Sequence, residues 1–187
     1  MVRVILHTAL MALVALTLIA CTPAKKPEKK PARKKAPSTT MLLLDKGLYE
    51  EVAKRMSSRR WQKFSSKRDR VYLYSSAING FIGKGDSRMK KNEYGEAGVS
   101  YRKALDYYPA ETSIAKKVKL SKQALLKNIV KCSNALMEAG LLKYRAGQLE
   151  EAITIWDRII LFDPNNIEAR KALNTATIQL ENLRKLK

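Results

Sequence analysis

The sequence has one histidine, His7, and two cysteines, Cys21 and Cys132, in 187 residues. His7 lies inside an N-terminal apolar run, so a chain that loses this run has no imidazole. That excludes the usual Ser/His/Asp and Cys/His nucleophilic machinery and zinc sites that need imidazole. A catalyst would have to rely on carboxylates, and no close pair stands out in an apolar setting. The chain therefore reads as a non-enzyme, with no cofactor and no metal site. If Cys21 is modified, Cys132 is alone and no intrachain disulfide can form. Period-two alternation is missing from Thr40 to Lys187, which argues against a sheet and predicts an all-α domain. Acids are scarce as well: 17 Asp and Glu face 37 Lys and Arg, a formal net charge of +20. An anionic partner or surface is a natural expectation for such a chain.

Residues 1–20 carry one early positive charge, Arg3, and then an apolar run from Val4 to Ala20, the pattern of a secretory signal. The run closes with Leu18-Ile19-Ala20-Cys21, which resembles the lipobox of bacterial lipoproteins. The resemblance implies cleavage before Cys21 and diacylglyceryl and N-acyl groups on that residue. Stable anchoring needs more than one acyl chain. In that family Asp after the cysteine is linked with retention at the inner membrane. Thr22 stands here, so the resemblance implies a lipid anchor in the outer membrane facing the periplasm. The alternative is an uncleaved membrane helix. The run is short for a span, but the basic residues that follow it would resist export.

Residues 22–40 hold seven basic residues, one acid (Glu28), and four of the six prolines. This composition has no apolar face to offset ordering entropy. It predicts a disordered Lys/Pro-rich tether, 21–40 with the lipidated cysteine, able to reach roughly 60 Å in polyproline II form. The tether reads as a solvated spacer, as a contact for anionic headgroups or another envelope polyanion, or as both.

The other prolines, Pro109 and Pro164, follow helical patterns that they terminate. Leu44, Leu48, Val52 and Met56 form an i, i+4 stripe and predict a first helix over 42–56, with Gly47 as a weak point inside it. Ser66-x-x-Asp69 reads as a capping start for a helix over 67–90. Further helices are expected over 149–162 and 167–186. With no proline or glycine from Ala110 to Ala139, residues 112–146 read as one helix about 50 Å long. Its exposed side would carry Lys116, Lys119, Lys127 and Lys131, and no acid occurs from Thr112 to Met137. Unpaired like charges weaken a helix, so the row is read either as an anion-binding surface or as a solvated face. Arg59 and Arg60 lie in a second basic stretch, 54–70, with Trp61 and Phe64 interleaved. Such a patch can bind single-stranded nucleic acid. The preferred reading packs the aromatics inward, with nucleic acid not an expected partner.

From Ser133 to Asn166, Gly140, Ala152, Trp156 and Pro164 follow one another at spacings of 12, 4 and 8. Gly85, Ala97, Tyr101 and Pro109 repeat these spacings over 78–111. Both stretches resemble the tetratricopeptide (TPR) repeat, a helix hairpin of about 34 residues. The resemblance implies antiparallel hairpins across 41–187 with a capping helix at the end. There are departures. Lys84 and Ala139 stand where Leu is expected, and Arg88 and Lys143 where Tyr is expected. The step from Gly85 to Gly140 also exceeds one repeat by the stretch Thr112–Cys132, so the units are not simply consecutive. In this family the first helix of each hairpin lines a binding groove. Carried over by alignment, the groove would present Asn134, Met137, Leu141, Tyr144 and Arg145, and in the earlier unit Asn79, Ile82, Asp86, Met89 and Lys90. Met137 and Leu141 break the Lys/Asn pattern of carboxylate-clamping members and suit an apolar, helix-in-groove partner. Trp156 fills the repeat's aromatic slot and is expected in the core, as is Cys132.

The expected function is a non-catalytic, lipid-anchored TPR adaptor that binds or assembles partner proteins in the bacterial envelope. TPR lipoproteins of the pilotin and outer-membrane-assembly kinds share this layout. The alternative is a basic binder of envelope polyanions, such as peptidoglycan, lipopolysaccharide phosphates or acidic proteins.

Overall fold

A computed structural model describes residues 39–64 and 66–186. The lipobox, Cys21 and most of the tether lie outside the described residues. All regular structure among the described residues is helical, in chain order α1 (Thr39–Asp45), α2 (Tyr49–Ser57), α3 (Arg59–Phe64), α4 (Lys67–Lys90), α5 (Tyr94–Asp106), α6 (Thr112–Ala115), α7 (Lys122–Arg145), α8 (Leu149–Phe162) and α9 (Ile167–Lys185). The helices stack largely in sequence: α2 on α4, α4 on α5, α5 on α7, α7 on α8, and α8 on α9.

Helix starts follow from local chemistry. Ser66, Ser121 and Asn166 each accept a hydrogen bond from the backbone N–H three residues on, at 3.1, 3.2 and 2.9 Å. Each side chain satisfies a donor that has no partner inside the helix. The hairpin turns have one geometry used three times. Gly47, Asn92 and Gly147 take φ of 71°, 61° and 75°. The next residues, Leu48, Glu93 and Gln148, sit at φ of −81°, −82° and −84° with ψ of 59°, 64° and 66°. In each turn two backbone N–H groups bond back to carbonyls of the preceding helix, as Gly147 does to Tyr144 and Gln148 to Lys143, both at 3.0 Å. The left-handed residue closes the helix end.

Two expected helices are corrected by this geometry. The first does not run through 42–56. It breaks at Gly47 into a short hairpin, α1–α2, so the chain holds a third, abbreviated unit. Nor is 112–146 one helix. It stops after Ala115, crosses irregular backbone over 116–121, and restarts at Ser121. Asn79 on α4 bonds the backbone there, and Ser121 caps the new start. Lys116, Lys117 and Lys119 repel one another within this break. The lysine row is therefore split: Lys116 and Lys119 lie in the linker, Lys127 and Lys131 on α7.

The hairpins are also longer than the expected units. Ser66, Asn92 and Pro109 recur at one constant offset as Ser121, Gly147 and Pro164. Helices α4 and α7 each have 24 residues. The long first helix is thus common to both hairpins.

The core is a set of aromatic rings seated on helical glycines. A Cβ placed on Gly85 would lie 2.7 Å from the Tyr101 ring, and one on Gly140 would lie 2.2 Å from Trp156 Nε1. Gly80 takes Tyr49 and Gly98 takes Phe162 in the same way, at 2.5 and 2.6 Å. Tyr101 and Trp156 are each 2% exposed. Burial pushes the Tyr101 hydroxyl well above the usual phenol range, helped by its hydrogen bond to Asp86. In the abbreviated hairpin Met56 takes the aromatic position and fully buried Thr40 the glycine position.

Gly140→Ala is expected to cost about 1–3 kcal/mol, the range for overpacking. Gly83→Ala, with nothing within 4 Å of its Cβ, should instead gain up to about 1 kcal/mol through helix propensity. Urea unfolding of both variants checks the opposite signs. A second prediction concerns acid. Glu50 on α2 holds Lys103 on α5 at 2.6 Å and Lys54 at 2.9 Å, and these bonds bring its carboxyl from 4.5 down to about 2. A depressed carboxylate stabilises the fold above its unfolded pKa and stops doing so as pH falls through the folded one. Thermal melts should therefore show a loss between pH 4.5 and about 2 that is shallower in Glu50→Gln. At neutral pH the variant should be less stable by no more than about 1 kcal/mol, because the pair is partly exposed.

Candidate functional site

The repeat geometry places the anticipated groove residues differently in the two hairpins. On α4 they are largely occupied. Ile82 is buried at 1% exposure. Met89 packs on the core, with its Sδ 3.5 Å from Cys132 Sγ. Asp86 accepts the Tyr101 hydroxyl at 2.7 Å. Asn79 donates through Nδ2 to the Lys117 carbonyl at 2.9 Å and accepts at Oδ1 from the Lys119 N–H at 2.8 Å. Lys90 is exposed at the helix end. The chain's own linker, residues 110–121, covers the Asn79 end of this side of α4, while Tyr101 and Cys132 take up Asp86 and Met89. Ile114 is buried in the core, Val118 and Leu120 pack against it, and Glu111 pairs with Arg70 at 2.7 Å. Asn79 is a structural clamp for the linker, not a free groove residue.

On α7 the site is open. Met137, Leu141 and Tyr144 come together with Glu138, Trp156, Ala172 and Thr175 around a cavity of about 390 Å³ with a mostly apolar lining. Such a volume and lining are those of a side-chain or small-ligand site. Leu141 is 40% exposed. Trp156 supplies the floor, with Nε1 donating to the Met137 carbonyl at 3.4 Å and its ring 5.8 Å from Tyr144. The Tyr144 hydroxyl donates to Gln179 on α9 at 2.7 Å, which ties the groove to the final helix. Asn134 is exposed one turn before Met137 and its side chain makes no hydrogen bond among the described residues; Arg145 is exposed but does not line the cavity.

The basic candidates are on the surface. Lys116, Lys119, Lys127, Lys131, Arg59 and Arg60 are all exposed, and no ion pair among the described residues uses any of them. Trp61 packs partly against the core; the Phe64 side chain lies outside the description. Cys132 is fully buried, and burial pushes its thiol up to about 11, so it is a packing group and not a nucleophile. Among the described residues no cluster of three metal-ligating side chains occurs, and no helix is long and apolar enough to cross a membrane.

Sequence reasoning missed the small residues of α9 that line the cavity and the linker that takes up Asn79. The signal for the linker is Ser121, a cap residue that passes for helix interior in a continuous stripe.

No family model matches the chain, and no solved structure matches it. It is similar to the protein CTR9 homolog of Arabidopsis thaliana, with 26% identity over 132 residues, 63% of this chain and 12% of that protein. The chain spans a small fraction of that relative's length. The fold itself is all-helical, a stack of TPR-like hairpins.

Asn79→Ala should release the linker. Hydrogen exchange at the Lys119 amide should rise at least about tenfold, with a stability loss of roughly 1–2 kcal/mol for two hydrogen bonds. Unchanged exchange there would refute the clamp.

Proposed function

We propose that the protein is a non-catalytic adaptor, lipid-anchored through Cys21 in the bacterial envelope, that docks a partner protein in the groove of its α7–α8 hairpin. The observation that carries this reading is the open apolar cavity at Met137, Leu141 and Tyr144. Burying an apolar side chain there is favourable by about 25 cal/mol per Å² removed from water. The anchor rests on Leu18-Ile19-Ala20-Cys21, and the prolines and lysines of 22–40 suit a spacer that holds the helices off a membrane.

A second reading is supported by the exposed, unpaired lysines of the linker and α7: a surface for envelope polyanions. The two separate on position, because polyanion binding does not need Leu141.

Crosslinking in envelope fractions tests both halves. Cys21→Ser should abolish acyl-chain labelling and move the protein out of the membrane fraction, and Leu141→Asp should remove the partner crosslink while labelling persists. A soluble wild-type chain that keeps its N-terminal segment would overturn the anchor. A partner retained by Leu141→Asp and lost when Lys127 and Lys131 become glutamate would favour the polyanion reading.

A further inference from the structure

The two ends of the hairpins differ in charge. At the turns, acids answer the bases: Glu50 holds Lys54 and Lys103, Glu93 pairs with Arg88, and Glu151 with Lys143. The opposite end of the α1–α2 and α4–α5 hairpins is built differently. It is formed by the end of α2, by α3, by the start of α4 and by the linker, with Arg70 and Glu111 joining the last two at 2.7 Å. Arg59, Arg60, Lys67 and Arg68 are exposed there. The linker adds exposed Lys116, Lys117 and Lys119, and the start of α7 adds Lys122. None of them forms an ion pair among the described residues. Nearby acids are committed, Glu111 to Arg70 and Asp106 to Arg102, which leaves Asp69.

Folding does not account for these cations. Lys67, Arg68 and Lys122 stand in the first turns of α4 and α7, where the helix dipole disfavours positive charge. The clamp at Asn79 takes only the Lys117 carbonyl and the Lys119 N–H, so it fixes the segment without neutralising its lysines. Tyr72 is 53% exposed. It follows Arg68 by four residues and precedes Asn79 by seven, spacings that set all three on one side of α4. Its ring therefore lies between Arg68 and the clamped lysines. An exposed tyrosine among cations suits a membrane–water boundary, with the ring at headgroup level. The described chain also begins at this end: α1 and α2 form a hairpin turned at Gly47, so Thr39 lies beside the end of α2. Residues 22–38 join Thr39 to Cys21.

We propose that this end of the domain lies on an anionic phospholipid surface, with the linker lysines, Arg68 and Tyr72 at the headgroup phosphates. Charge complementarity selects the phosphates, and the entry of the chain at Thr39 selects the bilayer that an acylated Cys21 occupies. The inference deepens the polyanion reading and takes its surface from the anchor reading. Each basic residue close to an anionic bilayer strengthens binding roughly fivefold.

Full-length protein is mixed with vesicles of phosphatidylcholine alone, or of phosphatidylcholine and phosphatidylglycerol in equal parts, and lysine acetylation is followed by mass spectrometry. On the charged vesicles Lys116, Lys117 and Lys119 should react at least about fivefold more slowly than on the neutral ones. Exposed Lys90 and Lys91, at the α4–α5 turn, should react alike on both. High salt should remove the protection, because it shortens the Debye length. The variant K116E/K117E/K119E, changed only at exposed side chains without ion pairs, should melt as wild type and lose the protection of Lys67 and Lys122. The charge-matched variant K90E/K91E/R145E should keep the protection of the linker lysines. Equal reaction on both vesicles would overturn the proposal, and so would equal loss in the two variants, which would report net charge alone. Protection by soluble polyphosphate with none by charged vesicles would also overturn it, in favour of a soluble polyanion. Retention by both vesicles without protection keeps the anchor and removes the patch. Protection on charged vesicles without retention by neutral ones keeps the patch and removes the anchor.

Discussion

Everything in the stack depends on a ring meeting a helix backbone where a side chain is missing. Gly85 receives Tyr101 and Gly140 receives Trp156 inside their hairpins; Gly80 receives Tyr49 and Gly98 receives Phe162 between units. The contact does two things. It lets two helices approach closer than any Cβ would allow, and it fixes their register, because a ring fits over one glycine and not over the next turn. The abbreviated hairpin illustrates the rule by substitution: where Met56 replaces the ring, Thr40 occupies the glycine position and is fully buried.

The long first helices, α4 and α7, follow from this arrangement. Helix α7 packs its first half, through buried Leu125, Ile129 and Cys132, on the hairpin before it, and its second half, through Gly140, on α8. A helix of the usual repeat length would serve only one of these neighbours. The extension explains how units separated by more than one repeat length still stack as neighbours. It also explains the linker. After α5 the chain must travel back to begin a longer helix, and it does so along α4, held by Asn79 and by the Glu111–Arg70 pair.

Much of the fold was legible in the sequence. Helix α4 was expected over 67–90 and α8 over 149–162, and both are found with those bounds, because Ser66, Asp163-Pro164 and regular apolar stripes mark them. Two breaks are not legible there, because the apolar stripe continues across each of them. Leu44, Leu48, Val52 and Met56 keep helical spacing across a turn, and Ile114, Val118 and Leu125 do so across irregular backbone. A left-handed glycine and a serine cap decide these places, and each is a single-residue signal. At the site, the resemblance to the TPR repeat names Met137, Leu141 and Tyr144, and the structure sets these three around one cavity. The resemblance does not show that the chain's own linker takes up Asn79 or that Met89 packs against Cys132, since both depend on how the chain folds back.

Besides the linker at Asn79, the two grooves differ in the helix laid against each. Buried Leu125 and Cys132 match buried Ala169 and Ala176, so α9 repeats the first half of α7 in the register that sets Ala169 on Leu125. In that register α9 presents Ala172 and Thr175 where α7 presents Asn128 and Lys131. The two small side chains leave the space between α7 and α9 that larger ones would fill, and Trp156 is too large to move into it without leaving Gly140. The cavity is therefore held open from both sides: by a ring locked on its glycine, and by a final helix that meets it with small side chains. A groove with rigid walls loses little conformational entropy when a side chain enters it, which is the physical advantage of a preorganised binding surface.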